Sequence, residues 1–245
     1  MTPHASHPHA SHPHASHPNV LLIGASRGLG LAMAGEYLTR GAHVVATVRS
    51  RERTRLHDLQ ETATGRLEIE HIDITEPADI AGLCDRLGAS TFDLLFVNAG
   101  ITQSDPEGTI ADVSTEEFTR LMVTNALSPM RVVEALADLV APDGTIAVMS
   151  SGQGSVSNNE RGGFEIYRTT KAALNMSMRS YAARHHDDPR TLLLMAPGWV
   201  KTRLGGPNAR LTIDESIPAL VSVIDAQRGR GGLQYLDYQG HTVPW

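Results

Sequence analysis

A single cysteine, Cys84, stands in the 245-residue chain, so no disulfide can close within it, which fits a reducing cytosol. Positive charge is not in excess either. Against 21 Lys and Arg there are 27 Asp and Glu, a net charge of −6, and nucleic acid is therefore not an expected partner. No apolar run approaches the ~20 residues of a membrane helix, and the N-terminus lacks the apolar core of a secretory signal. A cytoplasmic protein without a membrane partner is the expectation. His43, His57, His71 and His241 show no ligand spacing, so no metal site is expected.

What is present divides in two. Residues 1–18 are dominated by a His-rich repeat of Pro-His-Ala-Ser-His. Without apolar periodicity it reads as a disordered tail; its histidines could hold Zn or Ni ions loosely, or the tail could be passive. Residues 19–245 read as one domain of ordinary size. There, short apolar runs alternate with helical patterns. The strand readings are Val20–Ile23, His43–Val48, Leu67–Ile74, Phe92–Val97, Thr145–Met149, Thr191–Met195 and Leu233–Leu236. Helical patterns run to about Arg40 with Gly41 as stop, over Arg51–Glu61 and Pro77–Leu87, from Ser114 towards Val140 with Glu117 completing a capping box, after Phe164, and over Ile213–Ala226. Alternation at this spacing predicts an α/β chain, a Rossmann-type doubly wound parallel sheet with helices on both faces. Ligands bind such sheets at the carboxyl ends of strands. Gly24, Arg49, Asp73, Asn98, Ser151 and Pro197 all fall at that edge.

Two stretches carry chemistry. In the first, Gly24, Ser26, Arg27, Gly28, Leu29 and Gly30 lie between a strand and a helix. Glycine lets backbone approach a ligand closely, and the free N–H groups at a helix start favour a pyrophosphate. The spacing is Gly-x3-Gly-x-Gly rather than the common Gly-x-Gly-x2-Gly. Dinucleotide folds that hold an unmodified ribose place a carboxylate near the end of the second strand. Here Val48 stands there and Arg49 follows. With Arg27, two guanidinium groups and no carboxylate favour a 2′-phosphate, and so NADP(H); the alternative is two solvated arginines. In the second stretch, Tyr167 and Lys171 are four apart on a helix and share a face. A phenol with a reference pKa of roughly 10 is a poor proton carrier near neutrality, and an ammonium beside it should draw that value down.

Assembled in order, the glycine loop, Asn98-Ala99-Gly100, Ser151, the Tyr167/Lys171 pair and Pro197-Gly198 make the chain from Val20 to Trp245 resemble the short-chain dehydrogenase/reductase family. The run Pro197-Gly198-Trp199-Val200-Lys201-Thr202 with Gly205-Gly206-Pro207 resembles its Sniffer-type carbonyl reductase and C-factor branch. The resemblance implies an oxidoreductase that interconverts a carbonyl and an alcohol, with a ketone, aldehyde or alcohol as substrate. It implies Tyr167 as acid/base, Lys171 as its modulator and a ribose ligand, and Ser151 on the carbonyl oxygen. Ser151 rather than Ser150 fits because the family's serine stands three residues before a glycine, here Gly154. Asn125 would hold a water that links Lys171 to solvent. Asn98, Ala99 and Gly100 would line the adenosine side, Asp73 and Ile74 would meet the adenine, and Val200 and Thr202 would hold the carboxamide beside Pro197 and Gly198. A homodimer or tetramer on the Ser114 and Tyr167 helices is also implied, with Leu121, Met122, Val132, Val133, Leu136 and Leu139 as apolar surface. A nucleotide-binding regulator of the same fold with little turnover is the rival reading.

Three departures from the family pattern stand out. Ile23 replaces the usual threonine before Gly24 and removes a loop hydrogen bond. Val97 stands where a first asparagine often precedes Asn98. Asn158–Gly163 lengthens the path from Ser151 to Tyr167 and could wall the substrate pocket. Trp199 could line that pocket or pack in the core.

Overall fold

The computed structural model describes residues 17–103, 105 and 108–245. The expectation of a disordered, loosely metal-binding tail falls on residues 1–16, outside the described residues. Pro18 already belongs to the body of the fold, its carbonyl accepting the His43 N–H at 2.9 Å.

Seven parallel strands form one sheet: β1 (Asn19–Ile23), β2 (His43–Val48), β3 (Leu67–His71), β4 (Phe92–Val97), β5 (Val140–Met149), β6 (Thr191–Ala196) and β7 (Gly232–Asp237), in the order β3-β2-β1-β4-β5-β6-β7. Alternate residues along each strand feed opposite cores. Leu21, Ile23, Leu95 and Val97 pack on one face with Ile80 and Leu83 of α3 (Pro77–Leu87), Val132, Val133 and Leu136 of α5 (Ser128–Leu136), and Leu174 and Met178 of α6 (Glu165–Arg184). Val20, Leu22, Leu94 and Phe96 pack on the other, with Met33 and Tyr37 of α1 (Gly28–Thr39), Leu56 of α2 (Arg55–Thr62), and Leu220 and Val221 of α7 (Ile213–Gln227). Both faces being buried is why the strands read as nearly continuous apolar runs. Strand order reverses between β1 and β4, and the crevice that opens there holds Gly24 and Asn98.

Several elements differ from the sequence expectation. The second helix begins at Arg55, not Arg51, because Thr54 and His57 form a reciprocal cap. β3 ends at His71, yet Ile72 and Ile74 stay buried; the apolar alternation outlasts the pairing. β5 begins at Val140, five residues early, and a register shift between Phe92 and Leu94 absorbs Pro142-Asp143-Gly144. The long helix from Ser114 is segmented into α4 (Thr115–Met122), a π-helical turn over Val123–Leu127, α5 and a 3-10 turn over Ala137–Leu139. Of the apolar side chains named on this helix, much of whose surface was expected to face the sheet, Leu121, Val132, Val133 and Leu136 are fully buried in this chain's own interior. The exposed apolar side chains of these helices are Phe118, Leu127 and Met176.

Candidate active site

The glycine loop leaves β1 with Gly24 at φ +91°, a conformation that an L side chain rarely adopts. Its N–H donates to Thr47 Oγ at 2.9 Å, and the Ala25 N–H donates to the Thr47 carbonyl at 2.8 Å. Thr47, buried on β2, thus offers the loop a hydroxyl that Ile23 cannot; Ile23 itself is core. Asn98 Nδ2 donates to the Gly24 carbonyl at 2.7 Å, so the loop is clamped from β2 and β4. Gly30 sits against the same carbonyl: a Cβ there would lie 2.2 Å from Gly24 O and 2.6 Å from Asn98 Nδ2. α1 begins with no side-chain cap from Arg27 and no acidic residue in its first turn. Its leading N–H groups and the positive end of its dipole therefore face the crevice.

The second-strand edge carries the exposed Arg49, 73 % of whose side chain is open to solvent, with Nε 4.0 Å from Asp73 Oδ2. Asp73 Oδ1 accepts from the Thr75 N–H (2.9 Å) and hydroxyl (2.7 Å). Val48 and Ile74 point into the two cores, so only main chain at Ile74 is offered to the crevice. Arg27, at the α1 N-cap, is exposed.

On the other side of the switch point, Asn125 sits fully buried in the π-helical turn. Its side chain binds both backbone groups of Ile101, Oδ1 accepting the N–H and Nδ2 donating to the carbonyl, each at 2.9 Å, and Nδ2 also reaches Thr170 Oγ at 3.1 Å. A Cβ on Gly100 would stand 3.4 Å from Asn125 Oδ1 and 3.7 Å from Lys171 Nζ, so Asn98-Ala99-Gly100 leads from the glycine loop to the lysine. Lys171 is buried and donates to the Met149 carbonyl at 2.8 Å. Among the described residues that uses one of an ammonium's three donors.

Ser150 and Ser151 face opposite ways. Ser150 is buried and donates to Asn175 Oδ1 at 2.6 Å. Ser151 lies near enough to Tyr167 to lower its hydroxyl, and its Oγ accepts the Gln153 N–H at 3.2 Å. Gly154 closes this turn against α6; a Cβ there would lie 2.8 Å from Asn175 Nδ2 and 3.0 Å from Lys171 Cβ. That contact is a physical reason for a glycine three residues after Ser151.

Tyr167 departs from one expectation. Burial pushes its hydroxyl up to about 12; the neighbouring Ser151 works the other way and Tyr235 adds a smaller rise. The expected draw from Lys171 does not prevail. Its Nζ lies 5.8 Å from the centre of the phenol ring and is engaged by Met149. Burial lowers Lys171 itself to about 8, so the ammonium remains the major form at pH 7.

Several contacts escaped the sequence. Gln103, buried in the loop after β4, accepts the Tyr167 N–H at 2.9 Å through Oε1 and donates to the Asp105 carbonyl at 2.8 Å. It caps α6 in place of Phe164, which enters the helix at φ +51° without a side-chain cap. Ser216 Oγ donates to the Pro197 carbonyl at 2.7 Å. Beyond Pro197, a Cβ on Gly198 would meet Leu211 and Tyr238, Val200 bridges to Leu211, and a Cβ on Gly28 would lie 3.9 Å from Thr202 Cγ2. The Pro197–Thr202 run is thereby returned to the glycine loop. Trp199 is not core: it is 49 % exposed, and its indole N–H donates to the Gly205 carbonyl at 2.7 Å. The Asn158–Gly163 loop is exposed and tied down by Arg168, which donates to the Gly162 and Gly163 carbonyls at 3.0 and 2.8 Å.

Comparison with known proteins bears on the family and the fold. The family model for short chain dehydrogenase matches residues 18–210. A Burkholderia multivorans protein described as a short-chain dehydrogenase/reductase, solved with bound NADP, is 60 % identical with a TM-score of 0.92, over 94 % of this chain and all of that one. A carbonyl reductase from Pseudomonas aeruginosa, solved in complex with NADP, is 35 % identical with a TM-score of 0.87, over 94 % of this chain and all of its own. C-signal of Myxococcus xanthus is 36 % identical over 155 residues, 62 % of this chain and 92 % of its own length.

Proposed function

The chain belongs to the short-chain dehydrogenase/reductase family, and from that premise we propose that it is an NADP(H)-dependent oxidoreductase of carbonyl reductase type, interconverting a ketone or aldehyde with its alcohol. The observation that carries the reading is the meeting of Ser151, Tyr167 and Lys171 beside a glycine loop whose helix start is uncapped. The residues present fit the dinucleotide: Gly24 and Gly30 leave no room for a side chain, and no carboxylate opposes an anion at α1. Gly24, Ser26, Arg27, Gly28, Leu29 and Gly30 would hold the pyrophosphate, and Arg27 and Arg49 the 2′-phosphate. Asp73, Ile74, Asn98, Ala99 and Gly100 would line the adenosine side, with Pro197, Gly198, Val200 and Thr202 at the nicotinamide.

NADP(H) bound there supplies or takes up a hydride. The chain handles the oxygen. Ser151 and Tyr167 hydrogen-bond it, and these bonds strengthen as negative charge develops on it. At neutral pH Tyr167 holds its proton, the form that reduction needs, and delivers it to an alkoxide more basic than phenolate. Lys171 would hold the ribose, and it keeps positive charge near the phenol. Asn125 fixes Ile101 with its side chain, so a water on the path from Lys171 falls to its main chain. Phe118, Leu127 and Met176, exposed here, would supply the apolar contacts of a homodimer. NADPH oxidation over a panel of ketones and aldehydes tests the assignment. Turnover of at least one carbonyl class is expected; tight NADPH binding with no turnover would favour the regulator.

Cofactor choice rests on Arg27 and Arg49. A phosphate monoester carries close to two charges near pH 7, and hydrogen bonds to charged groups contribute roughly 1.5–3 kcal/mol each. Arg49→Ala is therefore expected to raise KM for NADPH about tenfold or more while changing KM for NADH little. An equal loss for both cofactors, or a wild type that prefers NADH, would overturn the assignment. The substitution suits the test because Arg49 is exposed. Val48→Asp would instead bury a carboxylate, since Val48 is 1 % exposed.

A further inference from the structure

We propose that Asn175 is a positioning residue that sets the distance between Ser151 and Tyr167, by tying the Ser150–Gly154 turn to the helix that carries the tyrosine. The inference rests on the roles given above to Ser151 and Tyr167. Asn175 follows Lys171 by four residues and Tyr167 by eight, so the three side chains line one face of α6. Asn175 is 3 % exposed. Its Oδ1 accepts the Ser150 hydroxyl at 2.6 Å and its Nδ2 donates to the Gly154 carbonyl at 3.2 Å. One amide therefore grips the turn on both sides of Ser151. Lys171 holds the residue just before it, through the Met149 carbonyl at 2.8 Å. From the far side, the buried Tyr235 hydroxyl donates to the Ser151 carbonyl, and Trp245 packs on the Tyr235 ring at 5.4 Å between centroids.

The amide is suited to this place because it accepts and donates at once. A carboxylate would lose the donor and bury a charge; leucine would lose both bonds. Ser151 and Tyr167 act on one oxygen, and a misplacement of about 1 Å at such a pair can cost on the order of a hundredfold. Misplacing Ser151 also leaves the Tyr167 hydroxyl to burial and the neighbouring Tyr235, both of which raise it. Lys171 is the other titratable group facing the ring.

The test compares Asn175→Leu, Asn175→Asp and Ser150→Ala with wild type and Tyr167→Phe, reading kcat, KM for NADPH, the pH profile and Tm. Asn175→Leu is expected to lose at least about tenfold in kcat and to keep KM for NADPH within about twofold, with the alkaline limb that Lys171 sets left in place. Ser150→Ala, which removes one of the two bonds without touching Asn175, lowers kcat by less and likewise spares KM for NADPH. Asn175→Asp regains activity as the pH falls, because a protonated carboxyl again accepts and donates. A kcat unchanged in Asn175→Leu beside an inactive Tyr167→Phe would overturn this inference alone. Should Asn175→Leu fail to fold, an unchanged kcat in Ser150→Ala together with no low-pH recovery in Asn175→Asp would overturn it equally. Near-normal turnover in Tyr167→Phe would remove the reading of the tyrosine, and this inference with it.

Discussion

Tyr167→Phe is expected to lose at least about a hundredfold in kcat, with the dissociation constant for NADPH nearly unchanged. Phenylalanine keeps the ring, and with it the packing of the α6 start against Gln103 and the Ser151 turn. It removes the one hydroxyl that can carry the proton. The wild-type residue is poised as a donor: its pKa, pushed up to about 12 by burial, leaves it protonated throughout the neutral range. Lys171, lowered to about 8, loses its charge first as the pH rises. Carbonyl reduction should therefore weaken as the pH passes through about 8, while the tyrosine still holds its proton. Steady-state NADPH oxidation against pH, with NADPH binding followed by fluorescence, separates these effects. A Tyr167→Phe variant that turns over at near wild-type rates would refute the acid/base assignment.

The parts of this site legible in the sequence are those whose chemistry depends on local spacing. Tyr167 and Lys171 declare themselves because four residues make one helical turn. Gly24, Gly28 and Gly30 do so because they separate an apolar run from a helical one. The alternation of strand and helix yields the sheet for the same reason. The contacts that escaped are made between distant segments. Thr47 reads as a strand residue, and only the parallel pairing of β1 with β2 brings its hydroxyl to Gly24. Gln103 meets Tyr167 across 64 residues, and neither has a spacing that announces it. Element ends were misjudged where burial and pairing part company. Ile72 and Ile74 continue an apolar alternation beyond the ladder, and Val140 joins β5 although Pro142, Asp143 and Gly144 look like a turn. The draw of Lys171 on Tyr167 differs for another reason: spacing fixes the shared face, but not the Met149 carbonyl that engages the ammonium or the burial that outweighs it.

Gly30→Ala tests the cradle as Tyr167→Phe tests the acid. The added Cβ would meet the Gly24 carbonyl at 2.2 Å and Asn98 Nδ2 at 2.6 Å. Neither is the free end of a flexible side chain. Gly24 O is backbone, in a loop held by Thr47, and Asn98 Nδ2 is fixed by its bond to that same oxygen. The loop must therefore move away from α1, breaking the Asn98 clamp and withdrawing the backbone that would face the pyrophosphate. Overpacking of this kind costs roughly 1–3 kcal/mol, or a fall in Tm of about 2–12 °C for a chain of this size. The effect on NADPH affinity should be larger, about a hundredfold or more, because a misplacement of about 1 Å spoils every contact made by the loop together. Gly35→Ala is the control. It lies in the same helix, where an added Cβ would touch only Leu59 Cδ2 at 4.0 Å. Replacing a helical glycine with alanine there should stabilise by about 0.4–1 kcal/mol and leave NADPH binding intact. Opposite signs in Tm, with affinity lost only at position 30, would place the cofactor against the Gly24 carbonyl. A Gly30→Ala protein that binds NADPH as tightly as wild type would mean that the dinucleotide does not rest on this loop.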